Sequence, residues 1–583
     1  MIRMKPALLG MAALSLGLAA PAFAEAPPLP GDWHGTLQSQ SGPVTLILHV
    51  TAEAGGKLKA QVENAYQAPG QMADVSSISA ENGHLSWKVD RIGATYEGDW
   101  SDADRQWKGK FNQGIEAALA FEQGLPDPFP VVEGFDGLWE GTAELNGAKL
   151  RQALRIKTDQ RGTLILYDSP DQMAMGLVAE KFAADGQAVS FSVLNGISSF
   201  KGTLSEDRKQ IAGQFTTTVN DNVAPVTFTR TSDSSERKLV ARPQEPKAPF
   251  PYRVEEVAFD NPQWPDVHLA GTLTLPEGAG PFPAAVMITG SGGQDRDEAL
   301  MGHKPFAVIA DYLTRNGIAV LRFDDRGIGE SRSKTSYDSA TSADLATDAN
   351  AAFAFLRHRS EIDPLKVGFI GHSEGGMIGP IAMAENPYAA FLVTLAGPGT
   401  ALDRLLVSQQ RLLATTMGAS QKQLDDQEPV MAAMFKAVAK AKTTEAGKAA
   451  AKAVLTPAAM AKLGLPPGTD EAVKDTLVGR FTGPWFRYFL HYDPVPNLSR
   501  IRVPLLALNG GLDLQVPADD NLEAIRAATQ GNPDVTIVKL EGLNHLFQHA
   551  ATGGVGEYAS IEETWSPEAL DIVAKWINRR FGK

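Results

Sequence analysis

Cysteine is absent from the 583 residues of this chain. That excludes disulfides and a Cys-linked lipid anchor, and removes any risk of mispairing in an oxidising compartment. Positive charge is in deficit: 54 Lys and Arg stand against 68 Asp and Glu, for a net charge of -14. With a pI near 5.3, neither nucleic acid nor an anionic membrane surface is an expected partner. Long apolar runs are also missing, apart from Ala7 to Ala20, which is short for a membrane span. That run follows Arg3 and Lys5 and precedes Ala22-Phe-Ala24. Residues 1–24 are therefore expected to be a secretory signal peptide with a mature start at Glu25, giving an exported, periplasmic or secreted product without a membrane span.

What is present describes a soluble globular protein, 43% hydrophobic and 21% charged, and too long for a single core. The first half repeats itself at a spacing of roughly 105 residues. Trp33-His-Gly-Thr36 corresponds to Trp139-Glu-Gly-Thr142, and Pro69-Gly-Gln-Met72 to Pro170-Asp-Gln-Met173. Gly98, Gly109 and Phe111 correspond to Gly202, Gly213 and Phe215. Alternating runs such as Val44 to Val50 and Leu150 to Ile156 predict half-buried strands. Residues 25–130 and 131–240 are thus expected to be two all-β units, either two small barrels or one sandwich. Their role is open between ligand binding and a stabilising accessory domain. The Pro-rich stretch 241–251 reads as a semi-rigid linker.

From residue 252 to 583, strand-like and helix-like segments alternate: Phe282 to Thr289, Phe306 to Asn316, Ile318 to Phe323, Ala343 to Arg359, Ala390 to Leu395. This predicts a mostly parallel sheet flanked by helices. Within it, Lys366 to Ile370 leads into Gly371-His-Ser-Glu-Gly375 and then into a helix-like run. Strand, G-x-S-x-G and helix form the setting in which a serine sits on a tight turn above the sheet, which makes Ser373 the candidate nucleophile. A serine needs a base, and the base an orienting acid. The strand-like Val503 to Leu508 ends near Asp513, and Val535 to Leu540 leads to His545. Asp493, Asp519 and Asp520 are competing acids that read as turn and helix-start residues. His545 and His549 mimic half of a zinc-protease helix, but Leu546 stands where the glutamate would be, so no metal is expected. His303, His358 and His491 read as surface or packing residues.

The oxyanion of acyl transfer needs two backbone N–H donors. One is expected from Glu374, the other from Ser291, with Gly292 as the alternative, in the loop Gly290 to Asp297. Asp295-Arg296-Asp297 is expected to brace that loop as a local ion pair.

These residues, with Met301 to Phe306, Phe323-Asp-Asp-Arg-Gly-Ile-Gly-Glu-Ser331 and Pro484-Trp-Phe-Arg-Tyr-Phe489, resemble bacterial α/β-hydrolase-fold serine esterases. The likeness is strongest to secreted carboxylesterases with an N-terminal β-rich domain, and looser to serine aminopeptidase-like hydrolases. It covers about residues 250–583 and implies an ester hydrolase with no cofactor, acting on small-molecule esters with small to medium acyl groups through Ser373, Asp513 and His545. The segment of about 402–480, rich in Ala, Lys, Leu and Gln, interrupts the alternation and is expected to be a helical cap. Leu405, Leu412, Met417, Met431, Met434 and Phe435 are expected either to line the acyl pocket or to pack the cap. An aminopeptidase-like hydrolase, a thioesterase, and a non-catalytic binding protein using the β repeats stand as alternatives. Oligomeric state is left open.

Overall fold

The computed structural model describes residues 28–39, 42–67, 71–113, 116–194, 196–217, 223–235, 240–335, 337–465 and 471–582. The expected signal peptide, residues 1–24, lies outside the described residues.

Each β repeat is a nine-stranded antiparallel meander. In the first, strand Gly31–Ser39 pairs with its successor Gly42–Ala52 and also with the last strand, Glu116–Gln123. In the second, Gly137–Leu145 pairs with Ala148–Asp159 and with Val223–Ser232. First-to-last pairing curls each meander into a sheet of its own, open between its fourth and fifth strands, so two barrel-like units form rather than one sandwich. The matching tryptophans do the same job: Trp33 Nε1 donates to the Leu29 carbonyl at 2.7 Å, and Trp139 Nε1 to that of Phe135 at 2.8 Å. The matching glycines face each other across strands, Gly98 opposite Gly109 and Gly202 opposite Gly213. A Cβ at Gly98 would lie 2.4 Å from the Tyr96 hydroxyl, so the pair leaves room for an inward ring. Trp33, Trp87, Tyr96, Trp107 and Phe121 are buried in the first interior, which is filled by side chains.

The second half holds an eight-stranded sheet. Its order is Arg253–Asp260, His268–Leu275, Ala319–Phe323, Phe282–Ile288, Ile362–His372, Leu392–Leu395, Leu505–Gly510 and Val535–Leu540. The first two strands run antiparallel; from Ala319–Phe323 onward all neighbours are parallel. Phe282–Ile288, Ala319–Phe323, Leu392–Leu395 and Leu505–Gly510 are buried throughout, as strands covered by helices on both faces must be. Two core clusters, one per face, hold the helices Ser342–Arg357 and Glu374–Glu385 on one side and Pro305–Arg315 and Pro567–Phe581 on the other. The helices between strands Leu392–Leu395 and Leu505–Gly510 run from Leu402–Thr416 through Gln421–Ala439, Thr444–Val454, Pro457–Lys462 and Glu471–Gly479 to Pro484–His491 and Val495–Leu498.

The second barrel docks on the second half of the chain through its turn Pro170–Gln172. Arg151 is clamped by Asp171 and donates to the Gly556 carbonyl at 2.8 Å and to Ser560 Oγ at 2.8 Å. Gln172 and Asn146 donate to the carbonyls of Met417 and Gly418, at the end of helix Leu402–Thr416. The first barrel leans on the second, where Arg161 meets the buried Glu63 at 2.9 Å. The Pro-rich stretch is held as well: Arg242 donates to the carbonyls of Ile561 and Ala559, and Gln244 bonds Thr564 and Trp565.

Candidate active site

Strand Ile362–His372 ends one residue before Ser373, and helix Glu374–Glu385 begins one residue after it. Ser373 has φ 53° and ψ -117°, a conformation that costs a non-glycine residue about 1–3 kcal/mol and persists where surrounding structure enforces it. Here the Ser373 N–H donates to the Leu395 carbonyl at 2.8 Å, and its carbonyl accepts from the Gly376 N–H at 2.9 Å. A Cβ at Gly371 would lie 2.0 Å from the Gly375 carbonyl, and one at Gly375 would lie 2.1 Å from that of Ile288. The flanking glycines are what allow the elbow to close.

Asp513 follows strand Leu505–Gly510, and His545 follows Val535–Leu540, adjacent in the sheet. His545 Nδ1 lies 2.8 Å from Asp513 Oδ2, with the carboxylate wholly buried. The other oxygen, Oδ1, accepts the backbone N–H groups of Gln515 and Val516, both at 2.8 Å. The His545 ring lies 4.9 Å from that of His372, the residue preceding Ser373, so serine, histidine and aspartate gather at one end of the sheet. Two of the three competing acids are engaged elsewhere. Asp493 accepts from the Val495 N–H in a local turn, and exposed Asp519 pairs with Lys539. His549 is exposed and bonds Glu563. Among the described residues no cluster of three or more His, Cys, Asp or Glu is placed to hold a metal. His303 is buried against Thr564, Tyr558 and Gln548; His358 and His491 are exposed.

Ser291, Ser373 and Glu374 share the wall of one cavity of about 70 Å³. The Gly290 N–H is occupied by the Glu298 carboxylate at 2.7 Å, whereas no acceptor among the described residues takes the N–H of Ser291. Glu374 opens its helix, where backbone N–H groups lack intrahelical partners. Gly292 has φ 91° and stands in open space. The loop is braced differently from the expected local pair. Arg296 reaches Asp324 at 2.7 Å and also Glu256 and Glu330, while Asp297 pairs with Arg322. Asp325, fully buried, accepts the Gln294 N–H and the Thr289 hydroxyl. Arginine's length lets it bind partners far along the chain, and no local spacing shows which.

Leu402, Leu405, Leu406 and Gln409 line the cavity from one face of their helix, and Trp485 and Phe489 from another, with rings stacked at 5.0 Å. Of the apolar cap residues singled out, Leu405 reaches the cavity, while Met434 and Phe435 sit in the cap's own core with Met431 against it. The i, i+3, i+4, i+7 spacing of 402, 405, 406 and 409 was the available signal for the lining face.

The Glu374 side chain is fully buried. Its Oε1 accepts from Ser342 Oγ at 2.5 Å and Trp485 Nε1 at 2.8 Å, and its Oε2 has no hydrogen-bond partner. Burial pushes this carboxyl up to about 7, against the two hydrogen bonds that favour ionisation. A carboxyl raised in the folded state binds more protons there than in the unfolded chain, so stability falls as pH rises. The loss begins near pH 4.5, is complete above about 7, and amounts to roughly 3 kcal/mol. Glu374→Gln keeps the shape without the charge. Its thermal midpoint is expected to gain on the wild type by more at pH 8 than at pH 5. An equal difference at both values would show that the group does not titrate in this window.

The family model described as serine aminopeptidase, S33, matches residues 303–459. Esterase EstD of Thermotoga maritima is 28% identical over 313 residues, which is 53% of this chain and 65% of that esterase. The chain therefore spans just under two thirds of that curated relative. An uncharacterized Mycobacterium tuberculosis protein is 31% identical over 123 residues, 21% of this chain and 38% of its own length. Among solved structures, an esterase of Pyrococcus furiosus is 15% identical with a TM-score of 0.34, covering 57% of this chain and 94% of that one. Est1E from Butyrivibrio proteoclasticus gives 14%, 0.31, 56% and 96%.

Proposed function

From a chain whose second half carries an α/β-hydrolase domain of the serine aminopeptidase-like kind, we propose that it is a serine hydrolase cleaving carboxylic esters with short acyl groups. The observation that carries this reading is the Asp513–His545 bond at 2.8 Å beside a serine held at φ 53°. The name of the Thermotoga relative, an esterase, agrees with it.

Asp513 holds His545 with its Nδ1–H outward to the carboxylate, leaving Nε2 to take the proton of Ser373 as Oγ attacks the ester carbonyl. The oxyanion that forms is received by the N–H groups of Glu374 and Ser291. His545 then returns the proton to the departing alcohol, and water repeats both steps on the acyl-enzyme. Nothing in these steps calls on a cofactor.

A cavity of about 70 Å³ is far below the roughly 300–1,000 Å³ of sites for drug-sized ligands, which supports a short acyl group. With p-nitrophenyl esters, kcat/KM is expected to be highest for acetyl to butyryl and at least about tenfold lower for octanoyl, since each methylene without a place forfeits roughly 0.8 kcal/mol. Leu405→Ala should shift the optimum to longer chains. A wild-type preference for octanoyl would refute the short-acyl reading.

The family name also supports a peptide-cleaving reading, and comparing an amino-acid ester with the matching anilide separates the two. Export is proposed from residues 1–24, and intact-mass measurement of the mature protein tests for a start at Glu25.

A further inference from the structure

One carboxylate outside the triad ties together the three segments that carry the reacting groups. Glu298 lies eight residues beyond Gly290 in the oxyanion loop, at φ 52°, with its side chain buried. Its Oε1 accepts the Gly290 N–H at 2.7 Å and lies 3.0 Å from His372 Nδ1. His372 is the last residue of the strand leading to Ser373. Its Nε2 lies 3.0 Å from the backbone carbonyl oxygen of His545, and Trp565 packs edge-on against its ring at 5.7 Å. An unbroken path thus runs from the oxyanion loop, through the nucleophile elbow, to the main chain of the base.

The protons can be counted. A carbonyl oxygen only accepts, so Nε2 must donate. A neutral imidazole has a single N–H, so the contact between Nδ1 and the carboxyl needs a second proton. A neutral imidazole facing a carboxylic acid would satisfy the same contacts; the imidazolium is favoured because, although burial lowers it, the Glu298 charge and hydrogen bond hold His372 above its ordinary value. Glu298 Oε2 is buried without a hydrogen-bond partner among the described residues, so no other donor there competes for the group. A buried ion pair is an expensive way to fill space, and apolar residues of similar volume often serve stability as well or better. What apolar residues cannot do is hold Gly290 and the His545 carbonyl at set distances.

We propose that Glu298 and His372 are a positioning pair, which fixes the Gly290–Ser291 turn and the His545 main chain relative to Ser373. The proposal rests on the ester-hydrolase reading above. Neither residue touches substrate; each acts through the group it holds.

The test uses the full chain, p-nitrophenyl acetate for kcat and KM, and a fluorophosphonate probe whose adduct is read on Ser373 by both rate and amplitude. Glu298→Ala and His372→Leu are expected to lower kcat by about 10²-fold, the cost of a misplacement near 1 Å, with KM nearly unchanged. Labelling should slow in parallel yet reach full amplitude. His372→Gln should recover at least about tenfold over His372→Leu, since its amide N–H can stay on the His545 carbonyl. Glu298→Gln keeps the volume and reads the same contact should the alanine variant not fold. It too should be slowed, because one amide oxygen cannot serve both Gly290 and an uncharged His372. Variants with wild-type kcat, or a loss confined to labelling amplitude, would overturn the pair. A wild-type protein that neither hydrolyses the ester nor labels at Ser373 overturns the hydrolase reading itself, and with it this one.

Discussion

Ser373→Ala is expected to lower kcat on short-chain esters by roughly 10⁵–10⁶-fold while leaving the thermal midpoint close to that of the wild type. The residue's backbone bonds, to Leu395 and from Gly376, do not involve its hydroxyl, so the elbow has no reason to relax. Alanine at φ 53° is strained no more than serine is. What disappears is the hydroxyl proposed to form the acyl-enzyme. The residual rate, about 10³–10⁴ above water, belongs to binding and to the N–H donors of Glu374 and Ser291. His545→Ala should fall by a similar factor, and the double variant scarcely further, because the two act as one unit. Fluorophosphonate labelling followed by peptide mass mapping checks the same point without a substrate. Ester turnover that survived Ser373→Ala unchanged would remove the nucleophile assignment.

Asp513→Asn is expected to cost about 10⁴-fold, for a reason visible in which oxygen does what. Oδ1 is committed to the N–H groups of Gln515 and Val516, so an asparagine will keep its oxygen there. Its NH₂ then faces His545 Nδ1, at the position Oδ2 now holds. A donor in that place forces Nδ1 to accept, and the ring proton moves to Nε2, the nitrogen that must be free to receive the serine proton. The fold is retained, since both backbone bonds survive. Raising pH should restore little, because the defect is a tautomer rather than a charge. Full activity in this variant would transfer the role to another acid, with Asp493 the first to examine.

Much of this arrangement was legible because each candidate residue follows an apolar strand. Lys366 to Ile370, Val503 to Leu508 and Val535 to Leu540 are short, mainly apolar runs followed by glycine-bearing turns, a pattern that local chemistry writes plainly. The structure extends the first two to His372 and Gly510 and ends the third at Leu540, as read. The repeats were legible for a similar reason: the paired glycines and the tryptophan that bonds four residues back are local needs of a barrel. Partnerships across the chain were not. Glu298 and His372 are 74 residues apart, and Arg296 and Asp324 are 28 apart, and no periodicity reports which carboxylate a buried cation will find. The antiparallel strand Arg253–Asp260 was hidden by its two consecutive glutamates, which sit on an edge where one face stays wet. Helix Pro484–His491 drew notice only through resemblance, and its part in the cavity wall came from where the chain returns after the cap.

The two barrels are copies that have ceased to be equivalent. Both keep the tryptophan whose indole bonds its own chain four residues back. Yet Arg151 and Asp171, which grip the segment 555–560, stand where the first copy has Thr45 and Gly70. The second unit carries a handle on the segment 555–560 and on the end of helix Leu402–Thr416. Removing the second unit would therefore take away a brace on helix Leu402–Thr416, whose residues line the cavity beside Ser373.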